Sequence, residues 1–318
     1  MALDKLIEKI EQTQNPTVAG LDPKLDYVPE FIRKKCFEKH GETLKGAAKA
    51  LLEFNKGLID ALYDIVPAIK PQAAYYEMYG PAGVKTLYKT QEYARSKGMY
   101  VITDGKRNDI GTTMEAYAAA HLGRVRVGSE EYEPFLGNAL TVNGYLGSDG
   151  IKPLIKVCSE NNKGIFVLVK TSNPSSGELQ DKLVEGIPIY KLMGEMCEEW
   201  GKELPGRYGY SGVGAVVGAT YPQQIGQLRA ALPHTFFLIP GYGAQGATAE
   251  DIAAAFDENG LGGIVNSSRG IMCAYQKQKC SEHDFAEAAR REAIRMRDEI
   301  MGYVGKIQLE LRDYEVRG

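Results

Sequence analysis

Short apolar stretches recur along the chain, each closed by glycine or a polar residue, and most are followed by a longer run with helical spacing. Eight stand out, at 17–21, 66–69, 99–103, 139–142, 164–169, 214–218, 235–239 and 263–265. Most are nearly continuous in apolar residues rather than alternating, which is the pattern of strands covered on both faces. Between them, 80–97, 114–122, 151–160, 222–231 and 249–258 read as helices, the last with Thr248 as N-cap. Eight strand–helix alternations predict an α/β fold, a (β/α)8 TIM barrel. An open doubly wound sheet is the competing arrangement, but no G-x-G-x-x-G follows the first strand. Two connections, 26–63 and 175–210 (the second containing Trp200), exceed what a barrel needs. They predict extra helices in loop insertions packed on the barrel ends, with a lid or a dimer surface as the alternative. Further helices are expected at both termini, and the expected organisation is one barrel domain over 1–318.

Composition narrows the partners. The chain has 318 residues with 44% hydrophobic and 25% charged, and 38 Lys plus Arg stand against 41 Asp plus Glu, a formal charge of -3. That balance points to neither nucleic acid nor membrane, so an anionic ligand must be held by local positive charge. The opening Met1-Ala2-Leu3-Asp4-Lys5-Leu6 reads as an amphipathic helix without an apolar signal core. No window approaches the roughly 18–20 apolar residues of a membrane span, so a cytoplasmic location is expected. The five cysteines are far apart with no C-x-x-C pair and are expected as free thiols, and the four histidines lack ligand spacing, so no metal site is expected.

The chemistry collects where the strands end. The residues following them are Asp22, Lys70, Asp104 with Lys106, Asn143, Lys170 through Asn173, Thr220, the loop Gly241-Tyr242-Gly243-Ala244-Gln245-Gly246, and Asn266 through Arg269. In a barrel all eight C-terminal ends converge on one mouth. Four charged groups from three early strands would therefore meet there. The glycines of the last loops let backbone approach an anion closely, while Gln245 and Arg269 can donate to it. Barrels often bind phosphate after strands seven and eight, where these residues fall. Asp104 and Lys106 lie two apart, so both can face the mouth if the chain stays extended. Asp109 stands where a helix should begin and can be read as its N-cap.

These residues resemble the orotidine 5′-phosphate decarboxylase family, in its longer bacterial form. The D-x-K-x-x-D-I signature is present as Asp104-Gly105-Lys106-Arg107-Asn108-Asp109-Ile110, followed by Gly111-Thr112-Thr113. A separate lysine appears in Ala68-Ile69-Lys70-Pro71-Gln72, and Gly20-Leu21-Asp22-Pro23 is similar to the ribose-binding strand end. Thr171-Ser172-Asn173-Pro174 matches the loop that meets the pyrimidine, while Pro240 through Gly246 and Ser268-Arg269-Gly270 match the phosphate loops. The helical tail after Cys273 departs from the short form.

The resemblance implies conversion of orotidine 5′-monophosphate to uridine 5′-monophosphate and carbon dioxide, without a cofactor, in pyrimidine biosynthesis. It implies that Lys106 protonates C6, with Lys70, Asp104 and Asp109 completing an alternating charge array. Asp22 and Lys70 would hold ribose hydroxyls, Ser172 the base, and Gln245, Gly246 and Arg269 the phosphate. Asp109 and Thr113 would reach the partner subunit's site, making a homodimer. Related barrels that decarboxylate a 3-keto sugar-acid phosphate through a metal-bound enediolate share the Asp-x-Lys-x-x-Asp pattern. Lys70 argues against that reading, because a cation stands where a metal-holding carboxylate would be needed. A non-catalytic phosphate-binding relative would be expected to have a broken charge array, and here the array is intact.

Overall fold

The computed structural model describes residues 2–243 and 246–312. Eight parallel strands close into a barrel in chain order: β1 (Thr17–Leu21), β2 (Ala68–Pro71), β3 (Tyr100–Arg107), β4 (Ala139–Val142), β5 (Gly164–Lys170), β6 (Val213–Val217), β7 (Phe237–Ile239) and β8 (Gly263–Ser267), with β8 pairing back onto β1. The first and fourth match the expected runs at both ends, and the second begins two residues later than expected because 66–67 lead into the barrel before pairing starts. Nearly every strand residue is buried, as the continuous apolar runs required.

The helices cover the outside. Those between successive strands are Leu44–Leu62, Gly80–Ser96, Gly111–Leu122, Ser148–Asn161, Ile189–Gly201, Pro222–Ala231 and Ala249–Ala253, and Phe285–Val304 follows the last strand. Two expectations need correction here. The connections 26–63 and 175–210 are not purely insertions, because each carries the barrel's own covering helix, Leu44–Leu62 and Ile189–Gly201 respectively. What is added is the helix Glu30–His40 in the first and a small hairpin, Leu183–Val184 with Ile187–Pro188, in the second. Trp200 belongs to the covering helix, buried, with its Nε1 donating to Ser148 Oγ at 3.1 Å. The seventh helix is also shorter than 249–258, although Thr248 caps it in a full capping box with Asp251.

The N-terminal helix Ala2–Thr13 turns Leu3, Leu6, Ile7 and Ile10 inward, into one cluster with Val18, Tyr100, Ile102 and Phe166 of the barrel interior. This packs the lower half of the barrel with apolar side chains and leaves polar groups to the other end. All five cysteines are free. Among the described residues no helix is long and apolar enough to cross a membrane.

Candidate active site

At the C-terminal ends of the strands, β2, β3 and β4 place three polar side chains around one carboxylate. Lys70 Nζ donates to Asp104 Oδ2 at 2.6 Å and Lys106 Nζ donates to Asp104 Oδ1 at 2.6 Å. Thr141 Oγ1 donates to Asp104 Oδ1 at 2.7 Å and accepts from the Lys106 backbone N–H at 3.0 Å. Burial alone would raise the Asp104 pKa, but the two ammonium groups beside it more than reverse this and hold the carboxyl well below its usual range. Burial works against the Lys70 ammonium, yet Asp104 and then Asp22 hold its pKa above the usual lysine value.

The two lysines differ in one decisive respect. The side chain of Lys70 is 5% exposed, whereas that of Lys106 is 46% exposed and faces the open end. Lys106 does not reach that position by staying extended, as its spacing from Asp104 suggested. Its φ is +48°, in the left-handed region, and the β3–β4 register shifts between Thr103 and Arg107. For a lysine this conformation costs on the order of 1 kcal/mol. The hydrogen bond from its N–H to Thr141 and the ion pair with Asp104 keep it there. Thr141 was not expected at the site, though a threonine inside an otherwise apolar strand of a barrel was the available signal.

A cavity of about 430 Å³ opens beside this array, walled by Lys70, Asp104, Lys106, Thr141, Ser172 and Gln180. Ser172 stands on the loop after β5, and that loop is held from two sides. Lys170, wholly buried, donates to Asp181 Oδ1 at 2.7 Å and lies over the Tyr221 ring at 4.4 Å. Gln180 accepts from the Thr171 N–H at 2.9 Å and donates to Thr171 Oγ1 at 2.7 Å. Gly218 gives the loop room, since a Cβ there would stand 2.8 Å from the Ser172 nitrogen. Gln180 was missed in the sequence because nothing local marks a glutamine ten residues past a strand end.

The remaining expected residues are placed as follows. Asp22 is half-buried near Lys70, with Oδ1 buried and without a hydrogen-bond partner among the described residues. Arg269 opens the short helix Arg269–Met272 and lines a second cavity of about 450 Å³ with Gly243, Ser267 and Gly270. Gly246 closes the turn after β7 at φ +92°, donating its N–H to the Gly243 carbonyl at 3.0 Å. Gln245 lies outside the described residues. Asp109 is not the helix cap expected of it. The helix starts at Gly111 after Ile110, and Asp109 Oδ1 accepts only from its neighbour's N–H, at 2.8 Å. Asp109 is half-buried and Thr113 exposed, and neither lines the cavity beside Asp104. Asn143 turns outward to accept from Tyr145 N, and Thr220 belongs to the wall behind Ser172.

A family model described as orotidine 5′-phosphate decarboxylase / HUMPS family matches residues 41–282. The chain belongs to this family. Curated relatives named orotidine 5′-phosphate decarboxylase include one from Rhodopirellula baltica, 44% identical over 297 residues that span 92% of this chain and 96% of the relative. Another, from Caldicellulosiruptor bescii, is 42% identical over 281 residues, spanning 88% and 92%. Among solved structures, Leishmania donovani OMP decarboxylase superposes with a TM-score of 0.69 at 28% identity, covering 93% of this chain and 98% of that one. The chain is a decarboxylase enzyme of the orotidine 5′-phosphate decarboxylase family on a TIM-barrel fold.

Proposed function

We propose that the chain converts orotidine 5′-monophosphate to uridine 5′-monophosphate in the cytoplasm, with no cofactor, and that Lys106 supplies the proton. The observation that carries this reading is the array on Asp104: one lysine buried, the other held by the same carboxylate yet open to the cavity. Loss of carbon dioxide leaves a carbanion at C6 with no neighbouring carbonyl to spread its charge. An ammonium fixed beside that carbon stabilises the charge as it forms, then donates its proton and neutralises it.

One such contact at ~4 Å, in an effective dielectric of about 20, contributes about 4 kcal/mol before desolvation. Enzymes remove roughly 8–23 kcal/mol from their barriers, so preorganisation must supply much of the rest. Asp104 holds the Lys106 amino group in place through the bond to its Oδ1. Placed beside the substrate carboxylate, it would also repel that group in the ground state. Asp22 and Lys70 take the ribose hydroxyls, Ser172 the base, and Gln245, Gly246 and Arg269 the phosphate. Binding energy from the distant phosphate can then align the pyrimidine. The metal-bound enediolate reading fits less well, because Lys70 already occupies the Asp104 oxygen that a cation would take.

The test is the fall in orotidine 5′-monophosphate absorbance on adding the purified protein in excess EDTA. Undiminished turnover is expected; turnover restored only by added Mg²⁺ would reject the cofactor-free reading.

The site is completed across a homodimer, with Asp109 and Thr113 reaching the neighbour's cavity. Supporting this, neither residue lines the cavity beside Asp104, and the loops after β3 and β4 expose the apolar side chains Ile110, Tyr145 and Leu146. Mixing Lys106→Ala with Asp109→Ala subunits should restore up to about a quarter of wild-type activity, since half of random pairs are mixed and each carries one intact site. No recovery in proven mixed dimers would reject the arrangement.

A further inference from the structure

The helix Phe285–Val304 lies beyond the residues that the family model matches. It packs on the barrel through Ala293, Met296 and Ile300 and lies against the short helix that Arg269 begins. Three further residues, Glu292, Arg295 and Glu299, share one face at helical spacing. Tyr242, 5% exposed, donates from its hydroxyl to Glu299 Oε2 at 2.8 Å. Arg295 Nη1 donates to the same oxygen at 2.5 Å, and its Nε and Nη2 grip the two Glu292 oxygens at 2.9 and 2.8 Å. Burial, reinforced by Glu299, holds the Tyr242 phenol above its ordinary pKa, so it remains a donor.

Tyr242 sits within the glycine turn after β7. Gly241, Gly243 and Gly246 there have φ of +102°, +67° and +92°, so the backbone has unusual freedom. A turn of this kind must be ordered before it can sit against an anion beside Arg269, and that ordering weakens binding unless it is already in place. The tyrosine ties the turn to the helix, and Tyr242, Gly243, Arg269 and Arg295 line one cavity together.

We infer that Tyr242, Glu299 and Arg295 are positioning residues for the substrate's 5′-phosphate, the C-terminal helix holding the glycine turn in its anion-accepting shape. This rests on reading that turn as the phosphate end. The test is titration of the full-length protein with uridine 5′-monophosphate by calorimetry and with uridine by saturation-transfer NMR. Tyr242→Phe and Glu299→Ala should each weaken the nucleotide about tenfold, as loss of one hydrogen bond to a charged group does, and leave uridine within about twofold. The double variant should be no weaker than Glu299→Ala alone, because that change already removes the bond from Tyr242. Glu299→Gln, which retains an acceptor for the phenol, should recover most of the affinity. Equal loss on both ligands, or no loss on either, overturns the inference. A wild type that binds the nucleotide but does not decarboxylate orotidine 5′-monophosphate defeats the proposed function alone.

Discussion

Replacing Lys106 with alanine is expected to abolish turnover while leaving the protein folded. Its side chain is half exposed, and its removal leaves Asp104 still bonded to Lys70 and Thr141, so the charge array stays partly satisfied. Catalysis loses both the proton and the positive charge beside C6. General acid catalysis contributes about 10²–10⁴-fold, and removal of one electrostatic stabiliser about 10²–10³-fold, so kcat should fall by at least about 10⁴-fold. Arg269→Ala should behave differently. Arg269 lines the second cavity, which shares no lining residue with the cavity at Asp104, so its loss should mainly raise KM through weaker phosphate binding. Steady-state kinetics on both variants, with circular dichroism to confirm folding, separates the two. Near-normal kcat in folded Lys106→Ala would remove Lys106 from the chemistry.

Asp104→Asn is expected to damage stability and activity together. Lys70 is buried and would lose its charge partner, the situation in which breaking a buried pair costs about 3–5 kcal/mol. For a chain of this size that corresponds to a fall in Tm of roughly 4–8 °C. Removing the stranded cation as well, in Asp104→Asn/Lys70→Met, should restore part of the stability and none of the activity. The pH dependence follows from the two shifts. Asp104 is depressed, so its contribution is complete above the unfolded carboxyl pKa of about 3.9 and fades as pH falls toward the folded value. Lys70 is raised, so its contribution is complete below the unfolded value of about 10.4 and fades as pH rises through the folded one. Denaturant midpoints should therefore show a constant gap between wild type and Asp104→Asn at neutral pH, closing below about pH 4. A gap independent of pH down to 3 would mean that the charge on Asp104 contributes nothing.

Most strands could be read in advance because a parallel barrel buries both faces of each, and a run such as Ala139–Val142 has few other uses. Helix ends were harder. Thr248 announced its helix through a side chain that bonds the first turn, whereas Ile110 starts another with no capping side chain, and Asp109 looked the better candidate by residue type alone. The covering helices inside 26–63 and 175–210 were taken for additions because the extra elements beside them blurred the spacing. Chain distance does not say which helix lies against the barrel.

Asp22, Lys70, Asp104, Lys106, Ser172 and Arg269 could be picked out from the sequence because each follows a strand, and the closed barrel brings strand ends together whatever the details. That argument determines which residues share a mouth. It cannot determine what each does there, since bonding depends on a few ångströms and on burial. Tertiary structure decided that one carboxylate serves two lysines, that Thr141 holds it, and that Lys106 turns left-handed to remain accessible while Lys70 is sealed. It also decided that a helix beyond the residues the family model matches reaches Tyr242. The local pattern carries the strand period and the residue types, whereas contacts between residues 34 or 57 positions apart form only when the barrel closes.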